Sequence, residues 1–537
     1  MDIINRHYIK LAAAALLLQF SSCKPNLDLS NPQELSTDTY YKTADQLENS
    51  VIPAYQALIG RTQGGYARSL YFELLAPGDD YNHTFKWEPM YQDSYNTPAS
   101  DGMTAQTWRD FWNGVFAANL AIDRIQKFEG EIDQNRKNRL LGEAYFLRGL
   151  NYLHLGMLFG ETIPLMSKPV ETNEDYYPGN APAGAVYAQI VDDFKKASEL
   201  LPTRAALYAD SKMIGRATKG AAQAYLAKTY LYKPILAKGQ AADFANAEIQ
   251  LKSVIDSKEY QLMSSYRDNF LETKENNQES VFEVQLYNGP GWLGDDISSS
   301  WRWQEIGMFD GTGGAWWNLA PNKMAHDQFE DGDPRKFMTL WCENGANFTQ
   351  LDGKVTTYTD WMKNLATNKD LYGTRKYCPD VQIADYDNGN NDRIFRYSDV
   401  LLLYAECLNE RGDVTGAKQY INLVRKRANN IVPDEQPHLW YQKSNGTIPD
   451  VDGLLAQGLV KNGVSLNTVK NIIVHERFVE FLGEYQRYFD LLRWGMADPV
   501  WLEPLKKGGW SPKAMYYPFP QAELDNNKNL KGNEMNN

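Results

Sequence analysis

The stretch Gly215–Tyr232 reads GRATKGAAQAYLAKTYLY. Its apolar residues recur three and four positions apart, which places them on one face of a helix. Ala221, Ala222, Ala224 and Ala227 are interleaved there with Tyr225 and Leu226. Alanines let a neighbouring helix approach closely, and the larger side chains fill the groove between the two, so the pattern predicts a helix packed tightly against a partner. The same spacing appears on either side, in Trp108–Phe128, Asn138–Leu158, Pro182–Leu201 (closed by Pro202) and Ala242–Ser257. Further along, Ile394–Glu410 and Val414–Ala428 form a pair split by Arg411-Gly412-Asp413, and Asn467–Trp494 reads as one last long helix.

These pairs are similar to tetratricopeptide-like helix hairpins, whose unit is about 34 residues. Their spacing is irregular, because long segments separate them. The expected fold is therefore all-α: a scaffold of helix pairs with large loop-rich insertions near 60–106 and 259–393. Loops carried on a rigid scaffold are where binding groups concentrate.

The N-terminus reads differently. Arg6 and Lys10 precede the apolar run Leu11–Leu18, which is far shorter than the ~20 residues that span a bilayer. A basic start, a short apolar run and the small residues Ser21-Ser22 before Cys23 describe a secretory signal ending in a lipobox. The expected division is a signal peptide over 1–22, a lipid anchor at Cys23 with a tether over 23–35, and a binding domain over 36–537. Acyl chains gain about 0.8 kcal/mol per buried CH₂, and several together hold a protein at a membrane.

The formal net charge of -13 argues against nucleic acid, whose binding rests on Lys and Arg neutralising phosphates. Apart from Cys23 the cysteines are Cys342, Cys378 and Cys407. That odd number is no disulfide framework. Cys342 and Cys378 lie in loop-rich sequence and could pair, whereas Cys407 sits in an apolar helical pattern and reads as a buried thiol.

Aromatic residues make up 13% of the chain, and seven of the 14 tryptophans fall between Trp292 and Trp361, in sequence rich in Gly, Asn and Asp. Such a segment has little core to fill. A sugar ring offers an apolar C–H face and a hydroxyl edge; flat rings cover the first, and Asp, Asn, Gln or Arg hydrogen-bond the second. Two stretches hold that mixture, and both lie in the insertions. One carries Asp79, Asp80, Tyr81 and Trp87; the other carries Trp292, Asp296, Trp301, Trp303, Trp316 and Trp317. Trp87, Trp301 and Trp303 are the first choices for ligand contact.

Glu476, Glu480 and Glu484 recur at four-residue spacing, so they are expected to stack on one face of the last helix. Paired carboxylates are the machinery of glycoside hydrolysis. Arg477, Arg487 and Arg493 share the segment, however, and Glu484 with Arg487 has the spacing of a helical ion pair. An adjacent guanidinium lowers a carboxyl pKa, which is wrong for a general acid. The row is expected to be structural. The six histidines are scattered without ligand spacing, no phosphate-binding loop or nucleophile elbow is present, and no cofactor is expected. Asp79-Asp80 and Asp295-Asp296 could offer oxygens to calcium, without EF-hand spacing.

Several blocks, in order along nearly the whole chain, resemble the SusD/RagB family of nutrient-binding outer-membrane lipoproteins. They are Leu27–Pro32, Glu143–Tyr152 running into Leu158–Leu165, Arg396–Glu406, Val424–Ala428, Ile473–Phe481 continuing through Tyr485–Gly495, and Tyr517–Pro520. The resemblance implies a tetratricopeptide-like all-α fold, a glycan or peptide ligand captured without catalysis, and a SusC-like TonB-dependent outer-membrane transporter as partner; an oligosaccharide is the expected ligand. Peptide capture, or service as a transporter lid with little affinity of its own, are the alternatives. The segment after Cys23 departs from the family pattern in lacking an obvious acidic cluster of the kind associated with surface export.

Overall fold

The computed structural model describes residues 41–60, 64–84, 89–172, 174–287, 300–307, 316–341, 347–349, 355–357, 370–377, 388–430 and 447–533. Ten helices build the frame: α1 Ile52–Ile59, α2 Gly102–Gln126, α3 Gln134–Phe159, α4 Ala185–Leu200, α5 Lys219–Leu231, α6 Phe244–Ser257, α7 Tyr397–Glu410, α8 Val414–Ala428, α9 Val469–Phe481 and α10 Arg487–Ala497. From α1 to α8 each helix packs on the next, so they form one continuous row, and α9 lies against α7 and α8. The row is all-α and consistent with stacked helix pairs.

Local chemistry sets the helix starts. Asp101, Asp133, Thr218 and Asp413 each accept a hydrogen bond from the backbone N–H three residues on, at the N-termini of α2, α3, α5 and α8. Such caps are worth about 1 kcal/mol each. Close packing follows from small residues. Ala221, Ala222, Ala224 and Ala227 are fully buried, between α4 on one side and α6 on the other. At Gly114 of α2 a Cβ would lie 2.2 Å from Asn151 Oδ1 of α3, so any larger residue there would displace the Asn151 side chain.

The row survives the long break between α6 and α7. The chain leaves after Ser257 and returns at Tyr397, yet the two helices pack directly. Four short strands organise the excursion and its neighbour: β1 Tyr81–His83, β2 Ser280–Val284, β3 Leu319–Pro321 and β4 Asp392–Arg396. β2 and β4 pair antiparallel with an irregular register, and every residue of both is buried. Phe282 and Phe395 pack edge-on against Tyr225 of α5, at 6.3 and 5.0 Å between ring centroids. The excursion is thus pinned to the scaffold at its base.

The last long helix departs from expectation. Its hydrophobic pattern continues through 482–486, but the helix ends at Phe481 and a second begins at Arg487. Gly483 and Tyr485 adopt φ of +82° and +81°, the left-handed region that no helix interior tolerates. The turn is held from outside. Arg302 donates to the Gly483 carbonyl, and the Tyr485 ring stacks on Tyr71 at 5.9 Å. Cys407 is a free thiol, 1% exposed, as its sequence context predicts; Cys23, Cys342 and Cys378 lie outside the described residues.

Candidate functional site

The two stretches chosen from sequence are brought together. β1 and β3 pair antiparallel, with His83 opposite Leu319 and Tyr81 opposite Pro321. One residue beyond β1, the Thr84 N–H donates to the Asn318 carbonyl at 3.0 Å, and its hydroxyl donates to the Trp317 carbonyl. Asn322 closes the other end, its carboxamide donating to the Asp79 carbonyl and to Asn82 Oδ1, both at 2.9 Å. One short ladder therefore makes a single face from segments more than two hundred residues apart.

Within that face the predicted residues divide. Asp79 is engaged by Arg487 through two hydrogen bonds of 2.6 and 2.7 Å. Asp80 is enclosed and Tyr81 is buried, its hydroxyl 3.1 Å from Thr374 Oγ1. Trp301 and Trp303 are 1% and 3% exposed, so neither ring has a free face in this conformation. Trp317 is also buried; it holds a left-handed φ of +56° and donates its indole N–H to the Tyr372 carbonyl at 3.0 Å. Trp316 is only half-buried. Trp87, Trp292 and Asp296 lie outside the described residues.

The buried rings support the open one. Trp301 meets Trp316 edge-on, with centroids 5.7 Å apart. The Arg68 guanidinium lies 4.8 Å from the Trp301 ring and 5.7 Å from the Trp316 ring, a favourable cation–π placement. Arg68 is ion-paired to Glu305, which also accepts from the Asn318 carboxamide at 2.5 Å. Burial pushes the Glu305 carboxyl up, and Arg68 and Asn318 offset only part of that. Asn82, His83 and Thr84, on β1 and just after it, are half-exposed polar residues, with His83 ion-paired to Asp93. Arg68 escapes a reading of the sequence because a lone arginine before an apolar run has no local signature; its role appears only once the second insertion folds back over it.

The carboxylate row is closed to chemistry. Glu476, Glu480 and Glu484 are at most 1% exposed. Arg335 lies 2.6 Å from Glu476 and 3.2 Å from Glu480. Arg425 bridges Glu476 to Glu330, at 2.8 Å to each. Arg396 reaches Glu279, Glu480 and Glu484 at 2.7, 2.9 and 2.7 Å. Arg427 pairs with Glu279 and Glu480, and Lys376 with Glu484. Burial alone would raise Glu480, but Arg427, Arg396 and Arg335 together outweigh it and hold the carboxyl at about 2. The expected Glu484–Arg487 pair does not form, because the break after Phe481 turns Glu484 toward Arg396 while Arg487 binds Asp79. Arg477 and Arg493 also look elsewhere, to Asp399, Asp490 and Glu406. The cationic groups that neutralise the row come from the second insertion, β4 and α8.

Comparison with known proteins agrees with this architecture. A family model described as "SusD family" matches residues 250–535, and one described as "Starch-binding associating with outer membrane" matches residues 26–231. SusD-like protein P2 of Formosa agariphila is 25% identical over 98% of each chain. SusD-like protein P38 of the same organism is 26% identical over 96% of this chain and 95% of its own. Among solved structures, a SusD superfamily protein from Bacteroides vulgatus superposes with a TM-score of 0.70 at 23% identity, covering 92% of this chain and 99% of its own. Surface glycan-binding protein A from Bacteroides thetaiotaomicron, solved in complex with laminarihexaose, gives 0.68 at 22% identity, covering 91% and 99%. By sequence over most of its length, the chain belongs to the SusD family.

Proposed function

We propose that this protein captures oligosaccharides without turning them over, and delivers them to a SusC-like TonB-dependent barrel in the outer membrane, to which it is anchored through a lipid on Cys23. The observation that carries the reading is the joined face. Two insertions meet through β1 and β3, and the joined segments carry a half-open indole, Trp316, and the half-exposed amide, imidazole and hydroxyl of Asn82, His83 and Thr84. A flat ring for the C–H face of a pyranose and short polar groups for its hydroxyl edge is the composition a sugar site needs. Trp87, Trp292 and Asp296 belong to the same two insertions and are proposed to extend the face, with Trp301, Trp303, Trp317, Asp79, Asp80 and Tyr81 holding it in shape. Support for a glycan comes from the starch-binding description of the N-terminal family model and from the laminarihexaose complex of a structural neighbour. The membrane-association wording of that same description supports the location.

The test uses the mature form from Lys24, run through gels containing neutral polysaccharides and titrated calorimetrically with the matching oligosaccharides. Trp316→Ala is expected to weaken retention at least tenfold, the loss of about 1.4 kcal/mol, while shifting Tm little. Trp301→Ala and Trp303→Ala, which empty buried volume, are expected to destabilise by about 3–5 kcal/mol. Unaltered retention by Trp316→Ala would remove this face from the site, and released reducing ends would remove the non-catalytic reading.

A further inference from the structure

A cleft of ≈ 300 Å³ lies against α2, Pro164, Met166, Tyr176–Pro178 and the C-terminal segment; it shares no residue with the β1–β3 face. It is at the lower end of the volumes of ligand clefts. Large exposed rings surround it. Phe116 is 39% exposed, Tyr176 65% and Tyr177 48%, and all three line the opening. Its floor is the buried ring of Trp112, whose centroid is 5.8 Å from that of Phe116 and whose indole N–H has no hydrogen-bond acceptor among the described residues. Asn113 and Asn526 stand exposed at the rim. Arg109 and Glu523, one charge of each sign, complete it, so the cleft presents no net charge.

We infer that this cleft is a second carbohydrate site, taking one or two units of a neutral glycan, with Phe116, Tyr176 and Tyr177 against the sugar faces and the Asn113 and Asn526 amides on the hydroxyls. A charged ligand would leave one of Arg109 and Glu523 facing like charge. A protein partner would call for a broad apolar patch, about 800 Å² on each side, whereas this is a small concave site edged by carboxamides. The inference rests on the capture reading only for the class of ligand.

The experiment is gel retardation on starch, laminarin, xylan, mannan and galactan, comparing wild type, Trp316→Ala and the triple variant Phe116→Ala/Tyr176→Ala/Tyr177→Ala, with Asn113→Ala/Asn526→Ala as a second cleft variant. All these cleft side chains are on the surface, and an unchanged Tm checks that each variant is folded. On the polysaccharide that retards wild type, both cleft variants are expected to bind more weakly, by about tenfold for the triple variant, and calorimetry with the matching hexasaccharide should lose one of two sites. Full retardation and unchanged stoichiometry in the cleft variants would overturn the second site while leaving capture at Trp316 intact. Loss in the cleft variants with none in Trp316→Ala would keep the cleft and reject the β1–β3 face. No retardation of wild type on any of the five would reject both.

Discussion

Asp80 lies at the start of β1, 2% exposed, with no hydrogen-bond partner for Oδ1 among the described residues. Burial is the larger cause that raises its carboxyl, the charge of Asp79 adds to it, and Arg487 opposes both; the result is a value of about 7, against 3.8 for a free side chain. Because the folded value is the higher one, the folded chain holds the extra proton between pH 3.8 and about 7, and stability falls as pH rises through that window. Asp80→Asn is therefore expected to stabilise at pH 8 by roughly 1–4 kcal/mol and to change little at pH 4, measured by urea unfolding at both pH values. No gain at pH 8 would mean that a partner absent from this structure already satisfies the carboxylate. From sequence, Asp80 and its neighbour look alike, two acids before an aromatic; only the enclosure around one and Arg487 beside the other separates them.

At the scale of an element, the turn between α9 and α10 shows the same dependence on distant contacts. Hydrophobic periodicity runs through it and predicts one helix, with only glycine at 483 hinting otherwise. The left-handed φ there is costly for any side chain, and a Cβ would also come within 2.8 Å of Tyr81 Oη. Gly483→Ala is expected to cost about 1–2 kcal/mol and to loosen β1, read as faster amide exchange at Asn82 and His83 while α2 to α6 stay protected. Uniform protection would show that the turn and β1 are uncoupled. The break lets the two helices point their charges in different directions. Glu476 and Glu480 of α9 enter the buried ion network, whereas α10 begins with Arg487, which holds Asp79.

That network joins the whole molecule. It ties α8 and α9 of the scaffold to β4 and to the segment carrying Glu330 and Arg335 in the second insertion. Removing one partner leaves the others charged and buried, so Arg396→Ala is expected to cost about 3–5 kcal/mol. Glu480 titrates at about 2 in the fold and near 4.5 when unfolded, so its contribution is complete above pH 4.5 and is lost as pH falls toward 2. That amounts to about 3 kcal/mol. Acid unfolding should therefore steepen in that window, and Glu480→Gln should flatten it at the cost of lower stability at neutral pH. An unchanged acid transition would place the sensitive carboxylates elsewhere.

The sequence by itself determined the all-α frame, the approximate place of most helices and the placing of the aromatic stretches in the insertions. Helical periodicity, capping residues and alanine runs are local signals, and a helix closes its hydrogen bonds within its own segment. It did not determine which tryptophan stays open, that β1 meets β3, where the partners of Glu476, Glu480 and Glu484 come from, or that Phe116, Tyr176 and Tyr177 enclose a second cleft. Each of these depends on side chains brought together from distant segments. Whether a ring is buried or exposed, and whether a carboxylate is paired, is a property of that convergence and of no stretch of chain alone.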